Sequence, residues 1–173
     1  MVPDDVMFSA SVRAEQERRG SREVYARRAA NGGFATDLSD DEIAFIRTRN
    51  SAYLATASAD GQPYVQHRGG PLGFIAVLDR RTVAFAEYPG NRQFISSGNL
   101  AENARAFLFL MDYANGRRLK LWGTATMVDE RESLDRLIAP HMIKPERAIV
   151  FAIHAIDWNC SKYIPSLVPQ TPK

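Results

Sequence analysis

Cysteine occurs once in this chain of 173 residues, at Cys160, which excludes an internal disulfide framework and any Cys-rich zinc site. No apolar run reaches the roughly 20 residues of a membrane-spanning helix. The N-terminus offers Asp4, Asp5 and then a charged stretch from Arg13 to Arg28 where a signal peptide would have its apolar core. Net charge is scarce too, at +2, which by itself implies no nucleic-acid partner. Internal repeats and low-complexity segments are absent. His67, His141 and His154 share no metal-ligand spacing, so no metal site is expected. Nothing in the chain requires an oxidising compartment, and its expected location is the cytoplasm.

What is present is ordinary for a globular domain: 45% apolar and 24% charged residues, on a length that suits one domain with a real core. Residues 1–33 read as an N-terminal helical arm, broken by Gly20-Ser21 into two short pieces and ended by Asn31-Gly32-Gly33. Its arginines (Arg18, Arg19, Arg22, Arg27, Arg28) are interleaved with Glu15, Glu17 and Glu23, the pattern of a solvated helix rather than of a nucleic-acid arm. Residues 34–165 form the main domain, and 166–173 a C-terminal tail. Ser39-Asp40-Asp41-Glu42 is a capping box that opens a short helix carrying Ile43, Phe45 and Ile46.

Strands follow. Ser51 to Ala59 leads into Asp60-Gly61, the strongest hairpin signal in the chain, and Pro63 to Gly69 returns. Gly73–Leu78 and Thr82–Glu87 form a second hairpin across Asp79-Arg80-Arg81. Ala104–Met111 is apolar enough to predict burial on both faces, while Arg118–Val128 alternates as a long antiparallel strand does. A helix is predicted over Glu130–Ala139 and a last strand over Arg147–Trp158. Six or seven strands joined by short hairpins, with few and peripheral helices, describe a mainly β fold: a small antiparallel barrel whose closure would remove exposed edges.

The candidate chemistry lies at strand ends. In Gln66-His67-Arg68-Gly69-Gly70-Pro71, alternation puts Gln66 and Arg68 on one face and His67 on the other. The stretch Ala84 to Asn103, AFAEYPGNRQFISSGNLAEN, runs a strand into a Pro-Gly turn, then Arg92 between amides, then Ser96 and Ser97 at a helix start. A planar guanidinium, two hydroxyls and free helix N–H groups suit an anion such as a phosphate.

From Tyr53 to Val128 the chain resembles the pyridoxamine 5'-phosphate oxidase-like, FMN-binding split-barrel superfamily. The resemblance rests on Leu54-Ala55-Thr56-Ala57, Asp60-Gly61-Gln62-Pro63, Gly90-Asn91-Arg92-Gln93, Asn99-Leu100-Ala101-Glu102-Asn103 and Leu121-Trp122-Gly123-Thr124-Ala125, in this order and spacing. Ile156-Asp157-Trp158-Asn159-Cys160 is similar to a subgroup of unassigned members, and the whole covers about two thirds of the chain. It implies a split barrel, a homodimer with FMN at the subunit interface, and flavin-dependent oxidoreductase chemistry on a small-molecule substrate. By position it implies that Gln66, His67, Arg68 and Gly69 line the flavin and that Asn91, Arg92 and Gln93 hold its phosphate. Arg118 and Lys120 would give polar contacts from the neighbouring strand, and Trp158 and Asn159 would reach across from the partner. The true oxidases carry an Arg in place of Gln66 and a Lys in place of Gln93, and basic C-terminal residues with no counterpart in Ser161–Lys173. These departures argue against pyridoxamine phosphate oxidase activity itself. A binding protein for flavin, deazaflavin or haem is the alternative class, and a basic-armed RNA-binding barrel the weakest.

Other residues read more plainly. Cys160 near His154 lacks an orienting third group and is expected to be a packed thiol. Trp122 is expected in the core, and Asp112 and Asp129 at opposite ends of one hairpin form no dyad.

Overall fold

The computed structural model describes residues 6–88, 90–137, 145–158, 162 and 164. Two arm helices, α1 (Ala10–Arg18) and α2 (Arg22–Ala30), precede α3 (Asp40–Arg47). Then come β1 (Ser51–Ala57), β2 (Pro63–Gly69), β3 (Ile75–Asp79) and β4 (Thr82–Glu87), followed by α4 (Ile95–Glu102). β5 (Arg105–Asp112), β6 (Arg117–Val128), α5 (Arg131–Leu137) and β7 (Arg147–Trp158) complete the order. No helix among the described residues is long and apolar enough to cross a membrane.

The seven strands make one antiparallel sheet in the order β2-β1-β5-β6-β7-β4-β3. β2 and β3 are its two ends and do not pair, so the sheet curls without closing. The fold is the expected mainly β, antiparallel split barrel, and its two end strands keep the edges that full closure would remove. The first hairpin turns where Gly61 takes φ 92°, a left-handed conformation that glycine adopts without steric cost. Ser58 stabilises the turn by donating to Asp60 and accepting from the Gln62 amide.

Alternation along the strands gives an inner and an outer face. Leu54, Leu108, Leu119, Leu121, Ile149, Phe151 and Phe85 are fully buried inside. The expectation that the fifth strand is buried on both faces is not met. Ala106, Leu108, Leu110 and Asp112 are buried, whereas Phe107, Phe109 and Met111 are only half covered. Trp122 lies on that same outer face, half-buried beside Phe107 at 4.9 Å between ring centroids, and so is not in the core. Phe107 also stacks on Phe109 at 6.2 Å. Aromatic content made these segments look like core, but here it covers the outside of the sheet.

The capping box forms as written: Ser39 Oγ accepts from the Glu42 amide, and Glu42 Oε2 accepts from the Ser39 amide at 2.7 Å. α3 thereby sets Phe45 and Ile46 over one end of the core. The arm packs on its own domain. Phe8 meets Tyr25 and Phe34 edge to face, and Arg28 lies 3.6 Å above Phe34 while pairing with Asp157 of β7 at 3.3 Å.

Candidate functional site

β2 presents Tyr64, Gln66 and Arg68 to the inside and Val65, His67 and Gly69 to solvent, because side chains alternate along a strand. Facing the inner row is α4, which is anchored to the first hairpin at several points. Asn99 Nδ2 donates to Thr56 Oγ1 at 3.0 Å, Ser96 Oγ donates to Gln66 Oε1 at 2.9 Å, and the Ala59 amide donates to Glu102 at 3.3 Å. With α4 held in this way, the loop that leads into it is held over the end of β2.

That loop is backbone-strained. Arg92 and Phe94 take φ 58° and 54°, a left-handed conformation in which a Cβ is crowded and which costs on the order of 1–3 kcal/mol each. Asn91 Oδ1 accepts from the Gln93 amide at 3.2 Å and supports the turn. The Phe94 ring lies below two guanidinium groups, Arg92 at 5.5 Å and Arg147 at 5.1 Å. Because Phe94 occupies the cap position, no side chain caps α4, and its first backbone N–H groups stay available. The Ser97 hydroxyl is buried with no hydrogen-bond partner among the described residues.

A small cleft results, lined by Gln66, Arg68, Asn91, Arg92, Gln93 and Ser96 together with Tyr64, Glu87, Tyr88, Phe94, Glu146 and Arg147. The structure therefore brings together six of the residues singled out in the sequence. Glu87 and Arg147 were not among them. They face each other across the β4–β7 ladder, one at the end of an apolar strand and the other at the start of the last strand. A charged residue ending a strand pattern such as Thr82–Glu87 was the available signal. Burial pushes the Arg68 guanidinium below its ordinary value, and the Glu87 carboxylate only partly offsets this. Burial also pushes the Tyr88 phenol up.

The remaining predicted residues lie elsewhere. His67 is exposed on the outer face, edge-on to Tyr53 at 5.6 Å, and Gly69 is exposed beside it. Arg118 and Lys120 are half-buried on β6, outside the cleft, and Lys120 Nζ pairs with Asp157 at 2.6 Å. Trp158 turns toward its own α3. Its Nε1 donates to Glu42 Oε1 at 2.9 Å and its ring meets Phe45 at 4.9 Å. Asn159 and Cys160, like Pro89 and His141, lie outside the described residues.

An open seven-stranded antiparallel barrel with an anion-suited cleft between its second strand and a strand-to-helix loop defines a class of split-barrel proteins. Residues 39–160 match the family described as pyridoxamine 5'-phosphate oxidase, and the chain belongs to that family. Among solved structures it is similar to a variant of HupZ from Group A Streptococcus, with 18% identity and a TM-score of 0.58 over 70% of this chain and 99% of that one. A candidate pyridoxamine 5'-phosphate oxidase of Lactobacillus delbrueckii gives 18% and 0.57 over 71% and 95%. An FMN-binding protein of Syntrophomonas wolfei gives 16% and 0.51 over 86% and 94%. At these identities the likeness concerns the fold. The comparison with curated proteins gave no match.

Proposed function

We propose that this chain binds FMN, with the phosphate in the cleft beneath Arg92, and that it acts as a flavin-dependent oxidoreductase on a small-molecule substrate. The observation that carries this reading is the combination of an uncapped helix N-terminus, the Ser96 hydroxyl and a cation-bearing loop, all at one cleft. Those donors fit a phosphate, since N–H and O–H groups at a helix start are what phosphate oxygens accept from. Family membership supports the same cofactor class. Bound flavin supplies the hydride and electron chemistry. The protein's own part is to hold the phosphate with Arg92 and the α4 amides, to keep α4 pinned through Ser96 and Asn99, and to orient the ligand against the inner row of β2. Gln66 and Gln93 are neutral where the true oxidases carry cations, which favours a substrate other than pyridoxamine phosphate.

The same reading includes a homodimer. The cleft in one chain leaves only about 50 Å³, whereas pockets for ligands of this size span roughly 300–1,000 Å³. A second copy would provide the missing wall, and the half-covered Phe107, Phe109 and Trp122 on the outer face offer it an aromatic surface.

The visible spectrum of the purified protein, followed by titration of the apo-protein with FMN, tests the reading. Flavin bands and saturable binding are the expected result. A Soret band would sink it in favour of haem, deazaflavin absorption in favour of that cofactor, and a bound flavin that no reduced nicotinamide reduces in favour of a carrier. Light scattering is expected to give twice the 19.3 kDa chain mass. A monomer that still binds FMN tightly would refute the dimer.

A further inference from the structure

The cleft carries part of its counter-charge within it. Glu87 Oε1 lies 3.4 Å from both Nη1 and Nη2 of Arg68, and Arg147 Nη2 lies 2.7 Å from Glu87 Oε2. The side chains of Glu87, Arg68 and Arg147 are 12%, 10% and 24% exposed respectively, so the group is largely removed from water. Arg68 stands on β2 at one end of the sheet order and Glu87 on β4 near the other. The carboxylate therefore ties together the two halves that the split leaves unpaired.

Arg147 meets Glu87 Oε2 without hydrogen-bond geometry, and the tie is looser still on its Arg68 side. Both contacts are at the long limit of a hydrogen bond and share one oxygen, where a guanidinium prefers two short parallel ones. Arg68 Nε is covered and has no acceptor among the described residues. A guanidinium this buried and this loosely paired gains by exchanging its acceptor for a phosphate, which offers three oxygens in the geometry its fork fits. The free volume is only about 50 Å³, and an anion that settled there beside the carboxylate would also meet its like charge.

We infer that Glu87 is a built-in anion that occupies the cleft in the ligand-free chain, and that a phosphate-bearing ligand binds by displacing it from Arg68. The inference rests on the reading of this cleft as a phosphate site. Glu87 then sets the affinity: it keeps both arginines paired and the two sheet halves joined until a better acceptor arrives, and any ligand must overcome that pairing.

The experiment compares the wild type, Glu87→Gln and Glu87→Asp. Each is titrated with FMN and with riboflavin by flavin fluorescence, and melted with and without inorganic phosphate. Glu87→Gln is expected to bind FMN about tenfold tighter, which corresponds to about 1.4 kcal/mol of relieved competition. The shorter Glu87→Asp should fall between the two, and riboflavin should bind all three alike. Without ligand Glu87→Gln should melt lower, since two arginines lose their counter-ion, yet gain more than the wild type from inorganic phosphate. FMN binding that is equal or weaker in Glu87→Gln would overturn the inference. If no protein binds FMN, the proposed function fails, and the phosphate-induced melting shifts alone decide: larger shifts in the variants uphold displacement and equal shifts overturn it. Should Glu87→Gln not fold, Glu87→Asp decides by the same comparisons.

Discussion

Gly123→Ala is expected to abolish folding, or to leave a chain destabilised by more than about 4 kcal/mol, the range reserved for severe core disruption. A Cβ at this position would sit 1.9 Å from the Ala152 carbonyl oxygen and 2.7 Å from the Phe151 ring. Real Cβ atoms essentially never come within 3.0 Å of such neighbours. The obstruction is backbone, so no rotamer change relieves it. Gly123 lies where the β6–β7 register shifts, with Trp122 opposite Ala155 but Gly123 opposite Ile153. At this bulge the two longest strands come close enough that only a residue without a side chain fits. Both strands carry the centre of the core through Leu119, Leu121, Ala125, Ile149, Phe151 and Ile153, so moving them apart cannot remain local. The measurement is soluble yield and chemical denaturation of the variant beside Gly98→Ala, a helical glycine whose added Cβ meets nothing within 4 Å. Equal stability for the two would mean that the sheet shifts at the bulge more easily than close packing allows.

That bulge shows the limit of what the amino-acid sequence could say about the fold. Two strands, Pro63–Gly69 and Thr82–Glu87, have in the structure the bounds that alternation and flanking turn residues predict, as does Arg147–Trp158. The capping box at Ser39 and the break at Gly20-Ser21 are equally local signals, and both appear. Periodicity cannot reveal whether a sheet closes, because that depends on strand tilt and on pairing between residues far apart. Nor can it distinguish an apolar strand with one covered face from one with two, so Phe107, Phe109 and Trp122 read as core. Gly123 in a strand pattern announces a close approach but not what approaches.

The site divides along the same line. Arg92, Gln93 and Asn91 form one continuous loop, and Ser96 follows in the first turn of α4, so spacing alone gathers them. Gln66 and Arg68 join because they alternate on one strand, and the structure places both on the inner face. Glu87 and Arg147 are far apart in the chain and meet only because β4 pairs with β7 in that register. Their presence turns a simple cationic cleft into one that already contains its own counter-ion. Trp158 illustrates the reverse: its position in a family-like segment assigns it to a partner, while its indole N–H is taken by Glu42. That hydrogen bond spans 116 residues and leaves no trace in local sequence.

Arg92→Ala is expected to weaken FMN binding by roughly one to two orders of magnitude. A charge-assisted hydrogen bond to phosphate contributes about 1.5–3 kcal/mol, and about 1.4 kcal/mol is tenfold. Riboflavin lacks the phosphate, so its binding should hardly change. Alanine suits the test because Arg92 holds φ 58°: both residues carry a Cβ there, so the substitution leaves the backbone strain nearly as it was. The contact of Arg92 with the Phe94 ring at 5.5 Å is also lost, but an exposed contact of this kind contributes only about 0.5–1 kcal/mol. Arg68→Ala is a poorer partner experiment than strand alternation implies, since it would leave Glu87 with Arg147 alone and open the join between the sheet halves. An arginine that holds the fold together, such as Arg80 with its bonds to the Leu38 carbonyl and Asp40, is unsuitable as a control. Arg27→Ala, on the exposed face of the arm, serves instead. Equal losses for FMN and riboflavin would show that Arg92 shapes the loop without touching the phosphate. An unchanged affinity for both would leave the anion to the α4 amides and Ser96, and the guanidinium over Phe94 would be only a lid on the turn.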